Sequence, residues 1–340
     1  MAPSASQSDL PLFIGVDVGG TGIKIGLVTN RGITLGYKSI ATEQERGVED
    51  AAGRIAHVIE TLLTEAGVDR GDVRRLGLAT PGPMDVPNGI LLTPGNIPAW
   101  RHTPIRKIVS EACKLPVTYA NDANAAAYGE FWSGAGRRFG TMVMVTLGTG
   151  VGGGVILDDV LVAGAHSCGG EVGHIIIDCA PDAPLNSLGI RGTLEGYCGS
   201  YGVVRRTQEL LAKPAPPSTL RDRVAAGEEL TPLLVAQNAE EGDELSLSVV
   251  METARLLAIG IVTLVHTLDP EGVVIGGAMT FGGAGHPLGE RFLAAVRAEA
   301  RGRMIEHLRE AVTIEFAKLA GDAGFIGAAG LARRDALAAE

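Results

Sequence analysis

The stretch "FIGVDVGGTGIKIGLVTNRG", residues 13–32, decides how the chain is read. Its glycines suggest a nucleotide-phosphate loop. In a P-loop or a Rossmann turn, however, the glycines lead from a strand into a helix whose N-terminal N–H groups face the phosphates. After Gly22 the chain instead places Ile23, Ile25 and Leu27 on one side and Lys24, Gly26 and Val28 on the other. That alternation is a strand. Asn30-Arg31-Gly32 then supplies turn chemistry, so the unit is strand, tight Gly-Thr-Gly turn, strand.

Working outward, the 340 residues are 46% hydrophobic and 20% charged, enough to bury a large core in two domains. A net charge of −10 argues against a nucleic-acid surface, since phosphate backbones need clustered Lys and Arg. Residues 1–10 lack the order of a signal peptide and read as a frayed tail of a cytoplasmic protein. The apolar run Leu256–Pro270 is too short to span a membrane and reads as a buried core helix. Cys113, Cys168, Cys179 and Cys198 show no C-x-x-C spacing and suit a reducing compartment.

"MVMVTLGTGVGGGVILDDVLV", residues 142–162, repeats the opening stretch in kind: apolar strand, Gly-Thr-Gly turn, second strand, acidic turn at Asp158-Asp159. Either copy alone reads equally as a plain glycine-rich hairpin. Two copies predict two related halves facing one cleft. Successive backbone N–H groups at a turn form an anion-binding concavity without a helix, and glycine lets the backbone come close to a phosphate. Thr21 and Thr149 add hydroxyl donors. "LPVTYANDANAAAYGEF" reads as a strand through Val117–Tyr119, a loop, and a helix from about Ala123. Asp122 is thereby a helix cap or a general base.

Taken in order, "DVGGTGIKIGLV", "LGLATPGPMD", "NDANAAAYGE", "LGTGVGGGV", "GGEVGH", "LDPEGVVIGGAM" and "DAGFIGAAGLA" resemble the ROK group of sugar kinases and repressors. The resemblance runs from about residue 12 to the end, and "GNIPAW" is similar to the glucokinase branch. It implies an α/β, two-domain hexokinase/actin-like ATPase (ribonuclease H-like) fold with an interdomain cleft. The small domain would comprise residues 10–120 plus the C-terminal helix 323–340, and the large domain residues 121–322. The implied reaction is ATP-dependent phosphorylation of a hexose, with glucose first and N-acetylmannosamine, N-acetylglucosamine or another hexose as alternatives. Polyphosphate stays open as donor, a homodimer is common in the group, and no nucleic-acid or membrane partner is expected.

The resemblance also assigns residues. Asp122 matches the catalytic base, and Gly82, Asn121, Asp122, Glu171, His174 and Glu195 match sugar-contacting positions. Asp17, Gly19, Gly20, Thr21, Gly148, Thr149, Gly150, Gly276 and Gly277 fall on the ATP side, with Asp17 positioning Mg²⁺ directly or through water. Lys24 reads either as a phosphate partner or as a solvated surface charge. Two other classes of function stand beside the kinase: a non-catalytic sugar sensor, and a transcriptional regulator, for which the dozen residues before the first hairpin leave no room for a helix-turn-helix.

One departure stands out. Many members of the group carry C-G-C-G-x-x-G-C-L-E where this chain reads "NSLGIRGTLE", residues 186–195, and bind zinc with the histidine of E-x-G-H. Here Asn186, Leu188 and Thr193 stand at the three cysteine positions. A tetrahedral site needs four N or S donors, so no structural zinc is expected. Packing by Leu188 and Leu194 and hydrogen bonding by Asn186 are the candidate replacements.

Overall fold

The computed structural model describes residues 9–213 and 217–339. Most of the expected tail, and residues 214–216 of the proline-rich stretch 213–218, whose composition predicts a loop, lie outside the described residues. Asp9 is not frayed: it is buried, its carbonyl accepts from the Asn30 N–H at 3.0 Å, and its carboxylate pairs with Arg31 at 3.0 Å.

In chain order the elements are β1 (Leu12–Val18), β2 (Gly22–Thr29), β3 (Thr34–Ala41), α1 (Val48–Ala66), β4 (Val73–Thr80), β5 (Met84–Asp85), β6 (Ile90–Leu91), α2 (Ile105–Cys113), β7 (Val117–Asn121) and α3 (Asp122–Ser133). These are followed by β8 (Met142–Leu147), β9 (Val151–Leu157), β10 (Val160–Leu161), α4 (Leu194–Cys198), α5 (Ser200–Leu211), α6 (Thr219–Ala225) and α7 (Pro232–Glu240). The chain ends with α8 (Glu244–Leu268), β11 (Gly272–Gly276), α9 (Pro287–Arg303), α10 (Leu308–Ala311), β12 (Thr313–Phe316) and α11 (Ala323–Leu337).

Two five-stranded sheets carry the fold, with orders β3-β2-β1-β4-β7 and β10-β9-β8-β11-β12. Counted from its own first strand, each sheet has the order 3-2-1-4-5. In the first, β1–β2–β3 is antiparallel while β4 and β7 join in parallel. In the second, β9 and β10 are antiparallel, and β11 is parallel to β8 and β12. The repeat read from two hairpins therefore extends to whole sheets. Asp158 and Asp159 have φ of 48° and 66°, the backbone of a tight β-hairpin turn, as their composition predicts.

Ile23, Ile25 and Leu27 are fully buried and pack with Ile55, Ile59 and Leu62 of α1, whose apolar residues recur at helical spacing. The opposite face of this sheet is covered too. Gly15, Gly26 and Gly77 are register neighbours on β1, β2 and β4. A methyl group at Gly15 or Gly77 would overlap the carbonyl oxygen of Phe325 or Ala328, and one at Gly26 would strike the Phe325 ring. The row of glycines is a bed for α11, whose own small residues complete the approach.

The chain divides into two compact units. One runs to Phe139 and takes in Gly154–Gly170 and the chain from Lys318 onward; the other comprises Gly140–Gly153 and Glu171–Ala317. This corrects the boundary expected at residue 120. α3 belongs with the first unit because its backbone touches α11: a side chain at Gly129 would overlap the Ala323 carbonyl, and one at Gly327 the Ala125 carbonyl. The fully buried Glu130 carboxylate strengthens the junction by accepting from the N–H groups of Ala135 (2.7 Å), Lys318 (2.9 Å) and Leu319 (2.6 Å). Residues 154–170 follow, since Gly154 packs on Ala127 and the Ser167 hydroxyl accepts from Val86 N–H at 3.0 Å.

In the second unit, α8 is 25 residues long, longer than the apolar run that suggested it. By length and composition it could cross a membrane, yet 67% of its apolar window is buried inside the fold, as a core helix requires.

The glycine row gives a stability test. Gly15→Ala and Gly77→Ala are each expected to destabilise the protein by about 3 kcal/mol or more, because a backbone carbonyl cannot yield. Gly53→Ala, in the exposed middle of α1 with open space around it, should stabilise by roughly 0.5–1 kcal/mol. Urea unfolding midpoints of the three variants check this, and a neutral Gly15→Ala would contradict it.

Candidate active site

In the first unit, the turn between β1 and β2 closes with Gly19 N–H donating to Gly22 O at 2.8 Å. Its carbonyls are engaged by Thr42, whose N–H donates to Thr21 O (3.0 Å) and whose hydroxyl donates to Gly19 O (2.7 Å). Occupied carbonyls matter, because a bare carbonyl oxygen would repel an anion. Thr21 is exposed at the tip, and Gly20 lies beside Asn96 of the "GNIPAW" loop. Thr42 is fully buried, and nothing in its sequence context marks it.

Asp17 sits just before this turn, partly buried, with its carboxylate against Gly324 in the first turn of α11. Burial pushes the carboxyl up to about 6, with its cross-strand neighbour Lys24 pulling the other way. Lys24, half-buried, donates from Nζ to the Gly321 carbonyl.

At the end of β7, Asn121 caps α3: its Oδ1 accepts from the N–H groups of Ala123 (2.9 Å) and Asn124 (3.2 Å). The sequence left Asp122 as cap or base. The cap is Asn121, and Asp122 is the first residue inside the helix, with Oδ1 accepting from Ala123 N–H at 2.8 Å. Gly82 closes the group, its Cα side facing the Asn121 amide nitrogen. The structure thus brings Gly82, Asn121 and Asp122 together at one strand end.

In the second unit, the turn between β8 and β9 is also closed by its own backbone, one residue tighter, and its carbonyls are also engaged. Gly148 N–H donates to Gly150 O at 3.0 Å, and the carbonyls of Gly148 and Thr149 accept from Ser200 N–H at 3.0 and 3.1 Å. Thr149 is exposed at the tip. Ser200 plays the part of Thr42 and is equally unmarked in the sequence.

Glu195 lies against this turn. Burial raises its carboxyl, but hydrogen bonds from Ser187, Tyr201 and the Val151 backbone outweigh that and hold it below the usual carboxylate range. The Ser187 and Tyr201 hydroxyls donate to Oε1 at 2.7 and 2.8 Å, and Val151 N–H to Oε2 at 3.2 Å. A side chain at Gly150 would overlap this carboxylate, which explains the glycine. Gly276 and Gly277 lie beside the same turn. The space that their side chains would need is taken by Met144 and by the Leu147 backbone, so close packing accounts for both glycines without a bound base.

Around His174, Asn186 donates from Nδ2 toward Nδ1 at 2.8 Å, and Glu171 Oε2 lies 3.6 Å from Nε2. Of the proposed substitutes for the zinc cysteines, Asn186 hydrogen-bonds and Leu194 is fully buried. Leu188 is 67% exposed and contributes no packing, because its loop turns outward. Among the described residues, no group of three or more His, Cys, Asp and Glu is placed to hold a metal ion.

The Asp17 carboxyl supplies a pH test. Its folded value lies above the unfolded value of 3.8, so the folded state holds a proton between about pH 4 and 6 that the unfolded chain releases. Stability therefore falls as pH rises through that window, and the penalty is constant above it. Without divalent ions, Asp17→Asn is expected to stabilise the protein at pH 7.5 by up to about 3 kcal/mol, with the gain vanishing near pH 4. Thermal melts across pH check this, and a gain independent of pH would contradict it.

A ROK family model matches residues 13–335. A glucokinase from Halalkalibacterium halodurans is 32% identical over 95% of this chain and 95% of its own. The ROK hexokinase from Thermus thermophilus superposes with a TM-score of 0.80 at 30% identity, covering 96% of this chain and 99% of that one. A ROK family glucokinase from Streptomyces griseus, solved with glucose and AMPPNP, gives 0.73 at 32% identity, covering 95% and 99%. The strand order, the paired turns and these matches lead to one statement: the chain belongs to the ROK family.

Proposed function

We propose that the protein is a sugar kinase transferring the γ-phosphoryl group of ATP to a hexose, with glucose as the preferred acceptor and glucose 6-phosphate as product. The observation that carries the reading is the division of labour at the start of α3. Asn121 is the cap, and Asp122 follows as the first residue of the helix, with one carboxylate oxygen on the Ala123 N–H. The relatives support the substrate: a 32% identical protein is a glucokinase, and another was solved with glucose and the nucleotide analogue AMPPNP.

In this reading Asp122 orients the acceptor hydroxyl and takes its proton. The hydroxyl oxygen bonds to the γ-phosphorus as the bond to the β–γ bridging oxygen breaks, and ADP leaves. Asn121 keeps its Nδ2 for the sugar, since Oδ1 is taken by the cap. Gly82, Glu171, His174 and Glu195 contribute the remaining sugar contacts. The carboxylate of Glu195 has room for another donor, because a carboxylate offers about four lone-pair sites. Gly19, Gly20, Thr21, Gly148, Thr149 and Gly150 present donors to the phosphates, and Gly276 and Gly277 belong to the nucleotide side.

Asp17 fits a magnesium ion on its own chemistry. Its carboxyl is raised by burial that one lysine does not offset, a penalty that a divalent cation relieves, and magnesium needs few protein carboxylates. When bound, the ion neutralises charge on the phosphate oxygens. Lys24 shares the field at Asp17.

Asp122→Asn is the direct test. Removing the base while keeping shape and cap should lower kcat by about 10²–10⁴-fold and leave sugar affinity within a few-fold. Steady-state kinetics and calorimetric sugar titration measure the two quantities, and a variant with near-normal kcat would refute the assignment.

A further inference from the structure

The 186–190 loop, which contains no cysteine, is closed on itself by the Asn186 side chain. Asn186 is 6% exposed, and Oδ1 accepts from the N–H groups of Leu188 (3.0 Å) and Ile190 (2.8 Å). Its backbone completes the turn, with Asn186 N–H donating to Ile190 O at 2.9 Å and Gly189 N–H donating to Asn186 O at 3.0 Å. Thr193, at another former cysteine position, is fully buried and caps α4 by accepting from Gly196 N–H at 3.1 Å. Hydrogen bonds thus occupy the positions at which the family resemblance led one to expect thiolates.

These bonds also fix a proton. Two backbone donors on one side of the Asn186 amide identify that side as the oxygen, so the other atom, 2.8 Å from His174 Nδ1, is the NH₂ group. A ring nitrogen facing an N–H donor must be the acceptor. In the neutral imidazole the proton is then on Nε2. Glu171 Oε2, 3.6 Å from Nε2, is too far to consume that N–H in a direct hydrogen bond. Donor and acceptor lie side by side, as two neighbouring hydroxyls of a pyranose require.

We propose that Asn186 is a positioning residue of a metal-free sugar site: it closes the 186–190 loop and holds His174 in the Nε2–H tautomer, so that Nε2 donates to a sugar hydroxyl. The sugar-donating part rests on the kinase reading; the tautomer part does not. A metal on Nδ1 would impose the same tautomer, and here an amide does so with the orientation of the ring set by the same contact.

The test uses wild type, Asn186→Ala and Asn186→Asp. Asn186→Asp keeps an oxygen for the two backbone donors while turning the ring-facing atom into an acceptor, so it separates loop closure from tautomer control. Long-range ¹H–¹⁵N correlation spectra of the sugar-free protein, with His174 identified by His174→Gln, should show Nδ1 unprotonated and Nε2 protonated in wild type. In Asn186→Asp, Nδ1 should gain a proton while the melting temperature stays close to wild type. The KM for the sugar should rise about 10-fold or more in both variants, with kcat much less affected. A wild-type spectrum with Nδ1–H would overturn the proposal, and so would an unchanged His174 spectrum or KM in Asn186→Asp. The spectra are recorded without substrate, so a wild type that phosphorylates no hexose would refute the kinase reading and leave the tautomer to be decided by the spectra.

Discussion

Gly15, Gly26 and Gly77 lie side by side on three strands, and α11 rests on them closely enough that backbone meets backbone. Close contact of this kind has no slack, since interiors are packed like crystals and a single methyl group is felt. Its consequence reaches the site. The first turn of α11 is held against the Asp17 carboxylate, and Lys24 is tied to the chain just ahead of that helix. The last segment of the sequence thereby helps to set the charge environment of a carboxylate near its beginning.

The second unit solves the equivalent problem with a side chain. Glu195 bridges the Gly148–Gly150 turn, Ser187 and Tyr201, and its lowered proton affinity reflects how completely it is hydrogen-bonded. A carboxylate so placed links the geometry of the Gly148–Gly150 turn to that of the loop from Asn186 to Ile190. Buried polar networks of this sort hold one conformation when every member is satisfied.

Both hairpins were legible in the sequence because strand alternation broken by Gly-Thr-Gly has few other readings, and their repetition pointed to a doubled fold. The helix after "YAND" was legible because an alanine-rich run follows a pair of good capping residues. The glycines at the centres of β1, β2 and β4 were visible too, but a mid-strand glycine states only that something approaches, not that the approaching element lies some 300 residues away. The placement of α3 was missed on the same ground, since Gly129 meets Ala323 and Gly327 only in three dimensions. Thr42 and Ser200 had no signal at all, because their work is done on backbone carbonyls brought near by folding. Asn186 was readable as a candidate, while Leu188 was not separable from it until the loop was seen to turn outward.

The central claim is that this ROK family chain transfers phosphate from ATP to a hexose. The most direct measurement is ADP release by the purified protein, with magnesium and ATP, across a panel of hexoses. ADP release that depends on sugar, with glucose giving the highest kcat/KM, is the predicted result. ATP turnover that no hexose in the panel changes would contradict the account.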